Sequence, residues 1–248
     1  MTATGPEPAG ATGRGSTGGA GDRAVLGEVA LFSRLSAAQL DLVARGSRRR
    51  ALARGEILFR AGDPCTAFFC VVTGQVKLTL SAADGAEKVL EIIPAGETFG
   101  EAVMFAGRPY PVTATALLPT SLVTVSAAVV LDLVGADPMF ARRMLAGMSV
   151  RLHTMINDVE AISLRTGTQR VAGLLLSLAG DEPAAQVVLP AGKAVLASRL
   201  TLTPEHFSRT LRDLTRARLI AVRGRRIELR DVPGLAAAAG AGPPVAQA

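Results

Sequence analysis

The chain has two cysteines, two histidines, one tyrosine and no tryptophan in 248 residues. Each scarcity excludes something. Cys65 and Cys70 alone cannot build a disulfide framework, and such sparse usage fits a reducing, cytoplasmic compartment. His153 and His206 stand far apart in sequence with no His/Glu cluster beside either, so a histidine-based metal centre of the catalytic kind is not expected. No Walker motif and no nucleophile elbow occurs, and the chain is not expected to be an enzyme. No run of eighteen apolar residues could span a bilayer, so no membrane partner is expected. The Gly/Thr/Ala-rich N-terminus has no apolar core of the kind a signal peptide needs.

What the chain does have is 49% hydrophobic residues, enough to bury the core of one or two domains. Its pattern predicts an α+β fold in five segments. Residues 1–24 hold many glycines and almost no large apolar side chains, and read as a disordered tail. Residues 25–135 open with a short helix (Ser36 as N-cap, then Leu40, Leu42 and Val43). Short β runs follow, separated by turn signals such as Ala61-Gly62-Asp63-Pro64, Thr73-Gly74 and Pro94-Ala95-Gly96. Turns at roughly ten-residue spacing suggest a jelly-roll β-barrel, the sensor domain.

Residues 136–165 read as one long helix, capped by Asp137 and opened by Pro138. Along it Leu145, Met148, Leu152, Met155, Val159 and Ile162 recur with spacings of three and four. A seam that narrow favours a coiled-coil homodimer over burial within one protomer, where the stripe is usually wider. Residues 166–234 read as a winged helix-turn-helix, and residues 235–248 as a second disordered tail.

The most informative segment is Leu202-Thr203-Pro204-Glu205-His206-Phe207-Ser208-Arg209-Thr210-Leu211. Thr203 suits the N-cap and Pro204 the first helical position. Phe207, Leu211 and Leu214 then fall on one side, and Glu205, Ser208, Arg209 and Arg212 on the other. The second face carries groups that read base edges: arginine for guanine, a carboxylate for cytosine, serine for several partners. Taken alone, the same pattern would suit a solvated surface helix equally well.

Its surroundings favour DNA. A short helix ending near Arg199 and Leu200 precedes it across a short bridge. Two β runs around Arg223-Gly224-Arg225-Arg226 follow it as a wing. From Lys193 to Arg230 ten Lys/Arg face three Asp/Glu, a net of +7 in a chain whose total is +6. The positive charge is concentrated where phosphates would lie, with Arg199 and Arg225 among its sources.

Barrel, long helix and winged helix-turn-helix in this order resemble the CRP/FNR family of bacterial transcription regulators. The carriers are Leu31-Phe32-Ser33-Arg34-Leu35, Gly74-Gln75-Val76-Lys77-Leu78, Pro94-Ala95-Gly96-Glu97-Thr98-Phe99-Gly100-Glu101 and Glu205-x-x-Ser208-Arg209. The resemblance implies a homodimer on double-stranded DNA with a palindromic operator, and RNA polymerase as a partner. Glu205, Ser208 and Arg209 resemble the FNR-type helix that reads TTGAT-like half-sites. Pro204 stands where a CRP-type helix carries a further arginine, and Thr201 where both types carry glycine.

The resemblance also places an effector pocket around Phe99, Gly100, Glu101, Met104 and Arg108, with a cyclic-nucleotide-binding-like fold. The Arg-Ser pair that meets the cyclic phosphate in cAMP binders falls here on Pro111 and Val112, so cAMP is not expected as the effector. Two cysteines cannot supply the four ligands of an FNR-type iron–sulfur cluster. The segments Glu97–Phe105, Leu196–Leu200 and Glu205–Arg209 resemble the Dnr (denitrification regulator) branch, which implies haem and a response to nitric oxide. His153, in the dimer helix near the barrel, is then the candidate haem ligand, with Met104, Tyr110 or a cysteine as substitutes. Phe68, Phe69, Val103, Met104 and Phe105 would line such a pocket; residue by residue they equally suit ordinary barrel core. The competing class is a cyclic-nucleotide-like regulatory module acting on a protein partner, against which the basic winged helix argues.

Overall fold

The computed structural model describes residues 20–29, 31–82, 85–180 and 186–240. In chain order its first part comprises α1 (Ala20–Glu28), α2 (Ala37–Arg45), β1 (Ser47–Leu52), β2 (Ile57–Phe59), β3 (Ala67–Thr73), β4 (Gln75–Ser81) and β5 (Glu87–Pro94). Next come β6 (Thr98–Phe99), α3 (Glu101–Ala106), β7 (Thr113–Ala116), β8 (Thr120–Ser126) and α4 (Ala127–Ala136). There follow α5 (Pro138–Leu164), α6 (Gly167–Ala179), β9 (Gln186–Val188), α7 (Lys193–Arg199), α8 (Pro204–Arg216), β10 (Ile220–Arg223), β11 (Arg226–Leu229) and α9 (Val232–Ala238). Contacts gather the chain into two compact units. Among the described residues, one consists of those up to Lys77 with Ile92–Met144, the other of those in Leu78–Glu91 and from Leu145 onward.

The barrel strands form two four-stranded sheets, ordered β1-β8-β3-β6 and β2-β7-β4-β5. β3 is central, and Ala67 through Val71 are buried without alternation, as expected of a strand covered on both faces. The β3–β4 turn requires glycine. Gly74 has φ +87°, and a Cβ there would lie 2.6 Å from the Pro119 carbonyl oxygen.

Two aromatic groups fill the first unit. Phe32 stacks on Phe140 with centroids 6.2 Å apart and tilts against Phe68 at 5.9 Å. Phe59 stacks on Tyr110 at 3.8 Å, and Phe69 on Phe99 at 5.2 Å. α2 begins with a reciprocal capping box between Ser36 and Gln39. α5 begins where Asp137 accepts from the backbone N–H groups of Met139 and Phe140. The Phe140 N–H, with Gln39 beside it, holds the Asp137 carboxyl below its ordinary range.

Helices occupy residues 20–24 and 235–238, which the composition assigns to tails. Residues 20–24 start α1, because Leu26 and Val29 bury into the core and Arg23 pairs with Asp41 at 3.2 Å. At the other end α9 runs through 235–238. Asp231 caps it by accepting from the Gly234 N–H, and Leu235 is fully buried. The rest of the two expected tails, 1–19 and 241–248, lies outside the described residues. Among the described residues no helix is long and apolar enough to cross a membrane.

Candidate nucleic-acid interface and sensor site

In the second unit α7 and α8 are joined by residues 200–203, and the sheet β10-β11-β9 stands beside them. Thr203 caps α8, its hydroxyl accepting from the His206 N–H at 3.1 Å, and Pro204 opens the helix. Phe207, Thr210, Leu211 and Leu214 are buried against the rest of the unit. That fixes the rotation of α8 about its axis and leaves Glu205, Arg209 and Arg212 exposed and Ser208 half-buried on one face. Positions i, i+3, i+4 and i+7 are thereby gathered into a single polar stripe, as their spacing predicts. His206 is exposed, and its ring sits where a Cβ on Gly167 would meet it at 2.9 Å.

One expected phosphate contact, Arg225, also holds the wing together. Its guanidinium donates to the Leu189 carbonyl from Nε at 3.0 Å and from Nη2 at 2.6 Å, and to the Pro190 carbonyl at 2.8 Å. Its own carbonyl accepts from the Leu189 N–H. Arg225 therefore ties the hairpin turn to the end of β9. The exposed cations flanking it are Arg223 and Arg226, which face each other across the hairpin. Arg199, the last residue of α7, is half-buried, and its carbonyl is occupied by Lys88.

On α5 the expected seam is open to solvent in the single chain. Leu145 is 65% exposed, Leu152 60% and Val159 64%. Met155 and Ile162 are exposed as well, Met148 is half-buried, and Ile156 widens the stripe beside Leu152 and Met155. Large aliphatic side chains at that exposure, aligned along one helix, form a surface that water solvates poorly.

In the first unit two of the expected pocket residues, Phe99 and Met104, are buried. Phe99 is 1% exposed and sits in the aromatic core. Met104 is buried in the cluster that includes Phe68, Cys70 and Phe140. Gly100 (φ +93°) turns the chain from β6 into α3, close against Phe68 and Tyr110. Glu101 is half-buried and accepts from the Thr98 hydroxyl at 3.5 Å. Arg108 is exposed, as is Pro111, with Val112 half-buried beside it. A small cavity of about 80 Å³ lies beside α1 and β3, lined by residues that include Glu28, Cys70 and Gly96.

Two of the candidate haem ligands in the first unit are buried. Tyr110 is buried, its hydroxyl donates to the Ala67 carbonyl at 2.5 Å, and burial pushes its ionisation up. Burial likewise pushes the Cys70 thiol up to about 11. His153 is exposed on α5. Two residues that meet at the end of α7 carry no local signal in the sequence. They are Lys88 and Ser198, which meet across more than a hundred residues of chain.

Residues 49–137 match the cyclic nucleotide-binding domain family, and residues 169–238 the Crp-like helix-turn-helix domain family. The chain is 31% identical over 208 residues to the transcriptional activator protein FnrA of Stutzerimonas stutzeri, covering 81% of this chain and 82% of that one. It is 30% identical over 206 residues to the transcriptional activator protein anr of Pseudomonas aeruginosa, with 81% and 82% covered. Among solved structures, FixK2 from Bradyrhizobium japonicum shares the fold, with a TM-score of 0.72 at 24% identity over 79% of this chain and 99% of that one.

Proposed function

From a chain that belongs to the CRP/FNR family of DNA-binding transcription regulators, we propose a homodimer that reads a palindrome close to TTGAT-N4-ATCAA through α8. The observation that carries this reading is the exposed stripe Glu205, Ser208, Arg209 and Arg212 on a helix whose other face is locked into the core. Arg209 supplies the bidentate donor for guanine and Glu205 an acceptor for the cytosine amino group. Thr203, Arg199, Arg223 and Arg226 lie where phosphate contacts would set the register without reading sequence. Pairing along the α5 seam would present two α8 helices to major grooves about one turn apart. RNA polymerase would be the partner of the bound dimer. Selection from random DNA is expected to return the TTGAT palindrome; a TGTGA-type site, or no palindrome, would overturn the reading of α8.

The effector reading divides. Cyclic AMP is not proposed as the ligand. Its phosphate needs a cation and a hydroxyl, and Pro111 and Val112 offer neither, while Arg108 points its charge from an exposed position outside the barrel core. Nitric oxide sensing through haem, the expectation from the Dnr-like segments, meets a poor fit. Phe99 and Met104 fill the interior, Tyr110 is hydrogen-bonded to backbone, Cys70 is a buried thiol, and His153 stands in solvent on α5. Calorimetry with cAMP is expected to show no micromolar binding, and haem titration no Soret shift. A shift abolished by His153→Ala would restore haem as the cofactor, and micromolar cAMP binding would identify Arg108 as a substitute cation. Whatever the effector, it acts only if it binds the DNA-competent arrangement more tightly than the other.

A further inference from the structure

Thr201 has φ +57°, in the left-handed region that a β-branched residue rarely adopts. The reason lies in how α7 ends. Leu200 is the C-cap, the Thr201 N–H donates to the Ser198 carbonyl, and the Leu202 N–H donates to the Ala197 carbonyl. These two bonds make a Schellman motif, whose first residue beyond the cap must be left-handed and is usually glycine. This turn sets the direction in which α8 leaves α7. A threonine here needs something to hold it.

Lys88, at the start of β5, supplies that hold. Its ammonium donates to the Thr201 hydroxyl at 2.7 Å, to the Arg199 carbonyl at 2.9 Å, and to the Ser198 carbonyl. The backbone on either side joins in. The Val89 N–H donates to the Ser198 hydroxyl at 2.9 Å, and that hydroxyl donates to the Glu87 carbonyl. A cation at a helix C-terminus also meets the negative end of the helix dipole. Burial, with Arg170 and Arg199 nearby and only Asp158 opposing them, lowers the ionisation of Lys88 from its ordinary value. The ammonium is thus held in a partly dry site by acceptors rather than by a counter-ion, where each hydrogen bond is strong.

We propose that Lys88 is a positioning residue for the recognition helix: it ties Thr201 into the left-handed cap that glycine would otherwise fill, and so makes the β4–β5 hairpin a determinant of how α8 meets DNA. This rests on the reading of α8 as the DNA-reading helix. It also gives the outer part of the hairpin, Leu78–Glu91, a direct hold on the helix-turn-helix turn.

The test is a double-mutant cycle in the full-length protein. Lys88→Met removes the charge and keeps an unbranched chain of similar length. Thr201→Gly removes the need for the restraint. Lys88→Met is expected to weaken binding to the selected operator about tenfold, the loss of roughly one charge-assisted hydrogen bond. Thr201→Gly alone should change affinity by less than about twofold, and the double variant should recover to within about threefold of the parent. Restored affinity cannot come from restored charge, because the double variant still lacks the ammonium. Hydrogen exchange of the Leu202 amide, measured without DNA, should speed up in Lys88→Met and slow again in the double variant. Additive losses in affinity with an unchanged Leu202 exchange rate would overturn the proposal. If no operator is recognised by the parent protein, the reading of α8 fails, and the exchange measurement alone still decides the role of Lys88.

Discussion

Leu152→Glu is expected to give a folded monomer with little affinity for a palindromic operator. Leu152 is 60% exposed in the single chain, so a carboxylate there meets water and the protomer keeps its fold. In a dimer built on the Leu145–Ile162 seam, the same position would face its symmetry mate. Two carboxylates would then be desolvated side by side, a cost of several kcal/mol before their mutual repulsion is counted. That is enough to shift a micromolar association beyond working concentrations. Operator binding would fall further than the loss of one contact suggests. A monomer forgoes the high effective concentration that the first bound half gives the second. Sedimentation equilibrium and an anisotropy titration would read both effects. A dimer of unchanged mass and affinity after this change would put the interface elsewhere.

The same helix shows why some of the structure could be read from the sequence and some could not. α5 starts at Pro138 behind Asp137, and α8 at Pro204 behind Thr203. Caps are local, so a few adjacent residues announce them. The barrel was legible as a succession of strands because its turns are also local. The pairing of β1 with β8, from Ser47 opposite Val125 to Leu52 opposite Thr120, was not. It depends on sheet closure across some seventy residues. α9 was hidden because a single large side chain, Leu235, anchors it amid alanines. Composition alone reads such a stretch as a tail.

Distant packing matters for side-chain roles in the same way. The basic turn suggests a phosphate contact for Arg225, but not its bonds to the Leu189 and Pro190 carbonyls, 36 and 35 residues back. Phe99 and Met104 looked like pocket lining because the resemblance placed them near a ligand loop. Whether an apolar side chain lines a space or fills it depends on packing that no local pattern encodes. Lys88 is the converse case. Its partners at Ser198, Arg199 and Thr201 are more than a hundred residues away, and no local pattern points to them.

Arg209→Ala is expected to cost roughly 1–3 kcal/mol per half-site, the worth of a bidentate arginine–guanine pair. On a symmetric operator both halves lose it, giving about 2–6 kcal/mol, or a fall in affinity from roughly thirtyfold to more than ten-thousandfold. The exposed guanidinium of Arg209 is one turn from Glu205 and next to Ser208, so the loss should be concentrated at the guanine of the half-site. Selection with the variant should return a palindrome relaxed at that position alone. Arg209→Lys should not restore it, because an ammonium cannot make the two parallel hydrogen bonds of the guanidinium.

Salt dependence separates this role from a purely electrostatic one. A cation that only neutralises phosphate releases a counterion, and its removal lowers the slope of log K against log salt by about one per contact. Arg223→Ala or Arg226→Ala should behave in that way, weakening all sequences alike. Arg209→Ala should leave the slope close to that of the parent while it erases the preference for guanine. A variant that lost affinity evenly across sequences, with a reduced slope, would make Arg209 a phosphate contact and move the reading of bases to other residues of α8.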